Sequence, residues 1–309
     1  MKKYFLILFV VLFLAGCSST NETSTAGRFI GGTTGLEIEF IEGEPPLTVG
    51  DKGEDEFDIG VLAKNIGESD IESGKLIVTL QGIEGNAFSL ASLSQKSTSK
   101  LEKRTKINDK ITEPDQTDVR FKNAKYKYDL DSDFPQVLRA DVCYEYQTKA
   151  VADLCLKKKP NDQIDEDQCE LNNADVTVEN SGAPVHIISM GQVPRSSSIK
   201  LTFDIMVQGT GLVYAPGAFS SECGMNEDAE NQIKVSLKGV GDIPISCSRL
   251  NEGNEGTVEL ISGTRTISCD INTAGLQESA FKKPISIELT YFYKDSIETQ
   301  FTVENTDFI

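Results

Sequence analysis

Ile285-Ser286-Ile287-Glu288-Leu289-Thr290-Tyr291-Phe292-Tyr293 alternates apolar and polar side chains over nearly its whole length. Successive side chains of an extended chain point to opposite faces. A period of two therefore puts Ile285, Ile287, Leu289, Tyr291 and Tyr293 on one face and predicts a half-buried β-strand. An earlier stretch, Val142-Cys143-Tyr144-Glu145-Tyr146, answers to Leu289–Tyr293 at an offset of 147 residues. Two further landmarks recur in the same order. Phe57-Asp58-Ile59 answers to Phe203-Asp204-Ile205 at an offset of 146, and Leu76 to Ile83 answers to Ile233 to Val240 at 157. Each match is short, but their order and near-constant spacing predict a duplicated domain. The extra ten residues before the second landmark fit a longer loop around Tyr214 to Asn231.

Leu76, Val78 and Leu80 share one face by the same rule, as do Ile233, Val235 and Leu237. Sustained helical periodicity is hard to find after Cys17. Turn formers punctuate the chain at Pro45-Pro46, Asn65-Ile66-Gly67, Gly82, Asn180-Ser181-Gly182, Gly209 to Gly211 and Gly253 to Gly256. Many short strands with regular turns predict an all-β protein, two tandem immunoglobulin-like antiparallel β-sandwiches. The first is expected over residues 35–157 and the second over 169–309. Between them, residues 158–168, with Pro160 and the acidic Asn161 to Asp167, read as a linker.

The front of the chain reads as an address. Lys2 and Lys3 precede an apolar run from Tyr4 to Ala15, the length of a signal-peptide core and too short to cross a bilayer as a stable helix. The run closes with Leu14-Ala15-Gly16-Cys17, which resembles the lipobox of bacterial and some archaeal lipoproteins. That resemblance implies a signal peptide over residues 1–16, lipidation of Cys17 and a flexible polar tether over 17–34. The expected location is the extracytoplasmic face of the cell membrane, with the membrane itself reached through the lipid anchor. Two acyl chains at about 0.8 kcal/mol per buried methylene hold durably. Asn21-Glu22-Thr23 is an N-glycosylation acceptor pattern inside the tether.

From Gly35 to Phe40, through Pro45-Pro46, Phe57-Asp58-Ile59 and Asn65-Ile66-Gly67, and again at Cys143-Tyr144-Glu145-Tyr146, the chain resembles uncharacterised archaeal cell-surface proteins with tandem immunoglobulin-like β-sandwich domains. The resemblance implies a surface role and no known reaction. Composition agrees with an exported protein. Losing Lys2 and Lys3 with residues 1–16 leaves 28 of 30 basic residues against 48 acidic ones, a formal charge of −20. Nucleic acid and anionic lipid surfaces are poor partners for such a chain.

Of seven cysteines, six remain if Cys17 is lipidated, an even number suited to an oxidising compartment. A hairpin turning near Lys149 would set Cys143 opposite Cys155, the first expected disulfide. Cys247 and Cys269 end two alternating segments around a glycine-rich turn and form the second. Cys169–Cys223 follows by elimination. The single histidine, His186, sits in an apolar strand and reads as structural.

No catalytic signature is present: no GxSxG elbow, no HExxH, and one histidine leaves little room for a Ser-His-Asp device. Asp129, Asp131 and Asp133 alternate like the start of a calcium loop, but Phe134 stands where glycine is needed and Ala140 where a bidentate glutamate belongs. Asp162, Asp165 and Asp167, with Glu166, form a second acidic cluster. Solvated turns are the leading reading of both, with calcium as the alternative. Lys96, Lys100, Lys103, Arg104, Lys106 and Lys110 make a basic island, read as a mobile insert or as a contact for an acidic glycan or acidic copy. No cofactor is expected. The expected function is a non-enzymatic structural, adhesion or docking module whose partner is another envelope protein or a surface glycan. The alternative is a solute-binding lipoprotein of a transporter, and a surface hydrolase using paired carboxylates stands behind both.

Overall fold

The computed structural model describes residues 27–108, 110–162, 168–171, 175–224, 226–238, 243–251 and 253–308. The expected signal peptide, Cys17 and Asn21 lie outside them. The first half holds β1 (Leu36–Phe40), β2 (Thr48–Gly50), β3 (Phe57–Asn65), β4 (Leu76–Gln81), β5 (Ser94–Lys96), β6 (Lys106–Ile107), β7 (Lys110–Ile111), β8 (Asp115–Ala124) and β9 (Phe134–Leu156). The second holds β10 (Val178–Asn180), β11 (Val185–Pro194), β12 (Ser198–Val207), β13 (Leu212–Tyr214), β14 (Gln232–Lys238), β15 (Ile245–Cys247), β16 (Glu255–Glu259), β17 (Thr264–Asn272) and β18 (Phe281–Glu304). The protein is all-β, with no α-helix among the described residues.

Three sheets make the body. One runs β1-β3-β8, another β11-β12-β17-β15, and the nine-stranded central sheet runs β16-β14-β18-β9-β4-β5, with β10 on the edge of β9 and β13 and β2 on the edge of β18. Its spine is the antiparallel pair β9 and β18, continuous from Phe134↔Val303 to Leu156↔Phe281. Alternation governs both strands. Leu138, Ala140, Val142, Tyr144, Tyr146, Ala150, Ala152 and Leu154 of β9 share one buried face with Ile285, Ile287, Leu289, Tyr291, Tyr293, Phe301 and Val303 of β18. The two smaller sheets pack over that face and merge into a single apolar core.

The duplication is visible in the register. Val78 pairs with Val142 and Leu80 with Ala140, while Val235 pairs with Leu289 and Leu237 with Ile287, the same pairs displaced by the offsets of the repeat. The central pair Glu145↔Phe292 is itself separated by 147 residues, so an approximate two-fold axis passes through it. The halves are thus not closed units joined only by a linker, because each contributes one long strand to both. Of the expected linker, residues 163–167 lie outside the described residues, while Lys158 and Gln168 hydrogen-bond the backbone of Gln277 and Ala280.

Two expected disulfides are corrected. The chain does not turn near Lys149; β9 runs on to Leu156, and Cys143 and Cys155 stand twelve residues apart on one strand, about 40 Å at strand rise. Cys143 instead joins Cys223 and Cys155 joins Cys169, so Cys169–Cys223 falls as well. Cys247–Cys269 forms as expected, across a register pair of β15 and β17.

Candidate functional site

The tyrosines of the repeat organise the middle of the molecule. Tyr146 takes a hydrogen bond from the Ser69 N–H at 3.3 Å and donates to Asn65 Oδ1 at 3.2 Å. Its counterpart Tyr293 takes one from the Gly211 N–H at 2.6 Å. Gly67 and Gly209 have no room for a side chain, because a Cβ at either would overlap the Tyr146 or Tyr293 hydroxyl. This is why glycine turns follow β3 and β12. Tyr144 accepts from the Leu36 N–H, and Tyr291 is hydrogen-bonded to Thr148 Oγ1 at 2.9 Å. Burial pushes the Tyr144, Tyr146 and Tyr291 hydroxyls far up from the usual range and Tyr293 up to about 12. Such groups remain protonated near neutrality and act as fixed hydrogen-bond partners.

The two halves differ beside these tyrosines. On the β18 side, β13 pairs its Leu212, Val213 and Tyr214 with Lys294, Tyr293 and Phe292. The loop that follows folds over the outer face of the central sheet, where Tyr214, Phe219 and Cys223 pack on Ile77, Cys143 and Phe292. Lys294, nearly buried beneath this flap, meets Asp141 at 3.0 Å. The flap lies where the second repeat is longer than the first, between β13 and β14.

On the β9 side the equivalent position holds no strand. β4 ends against Tyr144, with the Glu145 N–H donating to Lys75 O at 3.2 Å. Pairing resumes at Lys149, whose O accepts from the Ser181 N–H at 2.8 Å and whose N–H donates to Ser181 Oγ at 2.9 Å. Both Glu145 and Lys149 thus turn their backbone groups toward this edge, and alternation turns those of Gln147 the same way. No described group pairs with them. A cavity of about 280 Å³ opens here, lined among others by Glu68, Asp70, Lys75, Lys103, Gln147 and Lys149.

Four acids line this groove, and three of them, Glu68, Asp70 and Glu145, have close partners. Glu68 accepts the N–H groups of Ile30, Gly31 and Gly182 at 3.0, 2.9 and 2.7 Å. Asp70 takes the Lys103 N–H at 2.8 Å and pairs with Lys100 at 3.1 Å, and Glu145 pairs with Lys75 at 2.6 Å. The ammonium groups of Lys103 and Lys149 enter no ion pair among the described residues. The counterpart of Leu212–Tyr214 is Asp70–Glu72, which follows Ser69 as Leu212 follows Gly211, but here Ile71 bridges to Leu101 instead of pairing with β9.

The other candidate residues have structural surroundings. Asp129 lies 3.8 Å from Lys52, and Asp133 accepts the Asn305 N–H at 3.0 Å. Asp131 is exposed, Asp162 receives Lys157 on its backbone oxygen, and Asp165 and Asp167 lie outside the described residues. No three His, Cys, Asp or Glu side chains gather to hold a metal among the described residues. His186 is half-buried on β11, and burial pushes its pKa down. The basic island is dispersed: Lys100 bridges Asp70 and Glu102, and Arg104 holds the backbone oxygens of Thr112 and Ile66. No described helix is long and apolar enough to cross a membrane. Compared with known proteins, the chain matches no family model and no curated protein sequence.

Proposed function

We propose that this protein is a lipid-anchored module on the extracytoplasmic face of a membrane, a non-enzymatic docking element built from two immunoglobulin-like sandwich halves. Three disulfides point to folding in an oxidising, extracytoplasmic environment. The observation that carries the docking reading is the groove on the edge of β9 between β4 and Ser181, where no described group pairs with the backbone of Gln147. The anchor rests on the lipobox-like Leu14–Cys17, and the partner is another envelope protein or a surface glycan. Glu68, Asp70 and Glu145 of the groove are held in ion pairs or backbone hydrogen bonds, which supports a binding role over a catalytic one.

Cell fractionation with Cys17→Ser tests the anchor. Wild-type protein is expected with the membranes and C17S in the soluble extracytoplasmic fraction; equal partitioning of the two would overturn lipidation. Crosslinking on intact cells tests docking, and return of no envelope protein or glycan would overturn it.

A further inference from the structure

The front of the described chain is fixed to the body along one line. Gly35 O accepts the N–H groups of Ile66 and Gly67, both at 3.0 Å, where a Cβ at Gly35 would meet the Tyr144 and Tyr146 side chains. Gly32 O accepts the Ala183 N–H at 3.1 Å, and the Glu68 carboxylate holds the N–H groups of Gly31 and Gly182 together. Arg28 donates its N–H to Glu179 at 2.6 Å and its guanidinium to both oxygens of Asp153 at 3.1 Å. Residues 28–32 thus keep step with 179–183, and β10 within that stretch runs antiparallel to β9. Traced back from Gly35, the chain therefore moves from Tyr146 to Asp153. Asp153 is three residues short of the end pair Leu156↔Phe281, and Arg28 shares a cavity of about 450 Å³ there with Cys155, Cys169 and Lys282.

Charge is distributed unevenly about this tip. By sequence, residues 153–170 and 278–284 together with Arg28 carry six bases, Arg28, Lys157, Lys158, Lys159, Lys282 and Lys283, against seven acids. Of the 28 basic and 48 acidic residues after Cys17, 22 and 41 lie elsewhere, so the tip has a formal charge of −1 and the remainder −19.

We propose that the second-half tip, around Leu156 and Phe281, faces the membrane and that the molecule stands on it end-on, with the first-half tip held away from the bilayer. The presence of the bilayer rests on the lipid-anchor reading, and the orientation on the N-terminal root. Ten peptide units separate Cys17 from Gly27, a reach of at most about 35 Å. The far tip, Phe134↔Val303, lies 19 residues of β9 beyond Asp153, about 60 Å at strand rise. The near tip is confined to the neighbourhood of the bilayer; the far tip is not. Laying the long ladder on an anionic surface brings the strongly negative remainder within the screening length, about 8 Å at physiological salt, whereas standing on the nearly neutral tip does not. The exposed Leu47, Phe134 and Val137 at the far tip are carried outward, clear of lipid.

The full-length lipoprotein is reconstituted in vesicles of phosphatidylcholine and phosphatidylglycerol bearing an acceptor dye on the headgroups. A donor dye is attached through an azide-bearing residue in place of Lys159 at the near tip or Thr48 at the far tip, both exposed. Energy transfer is expected from Lys159 and at least about threefold less from Thr48, given the distance between the tips. In about 1 M salt, where the screening length falls to about 3 Å, transfer from Thr48 should rise while that from Lys159 holds.

Equal transfer from the two sites, or a Thr48 signal indifferent to salt, would overturn the proposal and leave the anchor standing. So would stronger transfer from Thr48, which would give the bilayer to the apolar far tip. The anchor is read separately: C17S should bind no vesicles, and wild-type protein that also stays unbound would overturn the anchor and the orientation together.

Discussion

Phe301 lies near the end of β18, yet its ring sits 5.9 Å from Phe57 and 5.8 Å from Phe88, both in the first half. The side chain is 3% exposed. Phe301→Ala removes a fully buried aromatic side chain from a tilted and an edge-on ring contact and leaves a cavity between packed sheets, a loss of about 4 kcal/mol. By the 147-residue offset the reciprocal position is Leu154 of β9, buried on the core face between Ala152, which borders β10, and Cys155, whose backbone is clamped by Gln192 of β11. Leu154→Ala is expected to cost about 3 kcal/mol. Equilibrium urea unfolding gives both magnitudes, and native-state hydrogen exchange gives their location. F301A should loosen β3 and the segment around Phe88, although the substitution is in the second repeat, and L154A should loosen β11 and β12. If F301A loosens only the second repeat, or costs less than about 1 kcal/mol, the shared spine is wrong.

Cys143→Ala with Cys223→Ala opens a loop of 80 residues and should destabilise by about 4 kcal/mol, more than the roughly 3 kcal/mol for Cys155→Ala with Cys169→Ala, whose loop spans 14 residues; denaturant melts that reverse this order would contradict the pairing. Burial holds His186 below its ordinary pKa, so the unfolded chain binds its proton first and the histidine's stabilisation, complete above about pH 6.5, is lost as pH falls through the lower folded value. Melting temperatures between pH 5 and 7 should therefore fall with acid in wild type and less so in His186→Gln. Burial raises the Asp51 carboxyl, but hydrogen bonds from Thr306 and Leu130 outweigh it and hold the group below its usual range. Its contribution is present above the ordinary carboxylate pKa and lost as pH falls toward the depressed folded value; Asp51→Asn should shift the acid unfolding midpoint upward and speed exchange of the Thr306 amide, and an unchanged midpoint would refute this role.

The all-β class and the repeat were legible because period-two alternation and glycine turns are local signals. Val142–Tyr146 and Leu289–Tyr293 even carried the correct offset for the two-fold axis. What local pattern cannot convey is where a long alternating stretch stops. Glu145, Gln147 and Lys149 interrupt the apolar face no more than any outward position does, so a turn at Lys149 and an unbroken strand read alike; the partner β18 decides. The disulfide error followed directly, since outward-facing Cys143 meets a flap 80 residues later and not its neighbour on the strand. Asp129 and Asp133 looked like ligands because sequence shows carboxylates but not Lys52 or the Asn305 amide that engage them. The groove was invisible for a related reason: it lies where Asp70–Glu72 bridges to Leu101 and leaves β9 unpaired, and a pairing not made has no local pattern.

A ladder of 23 paired residues is a rod about 75 Å long. Because it runs unbroken through both lobes, there is no hinge about which one could swing against the other, and a load applied along it would have to shear many hydrogen bonds at once. The groove beside Gln147 lies near the midpoint of that rod. Whatever is seated there is carried at a fixed distance from either tip, as a rung is set on a ladder, and its standoff is governed by strand length alone.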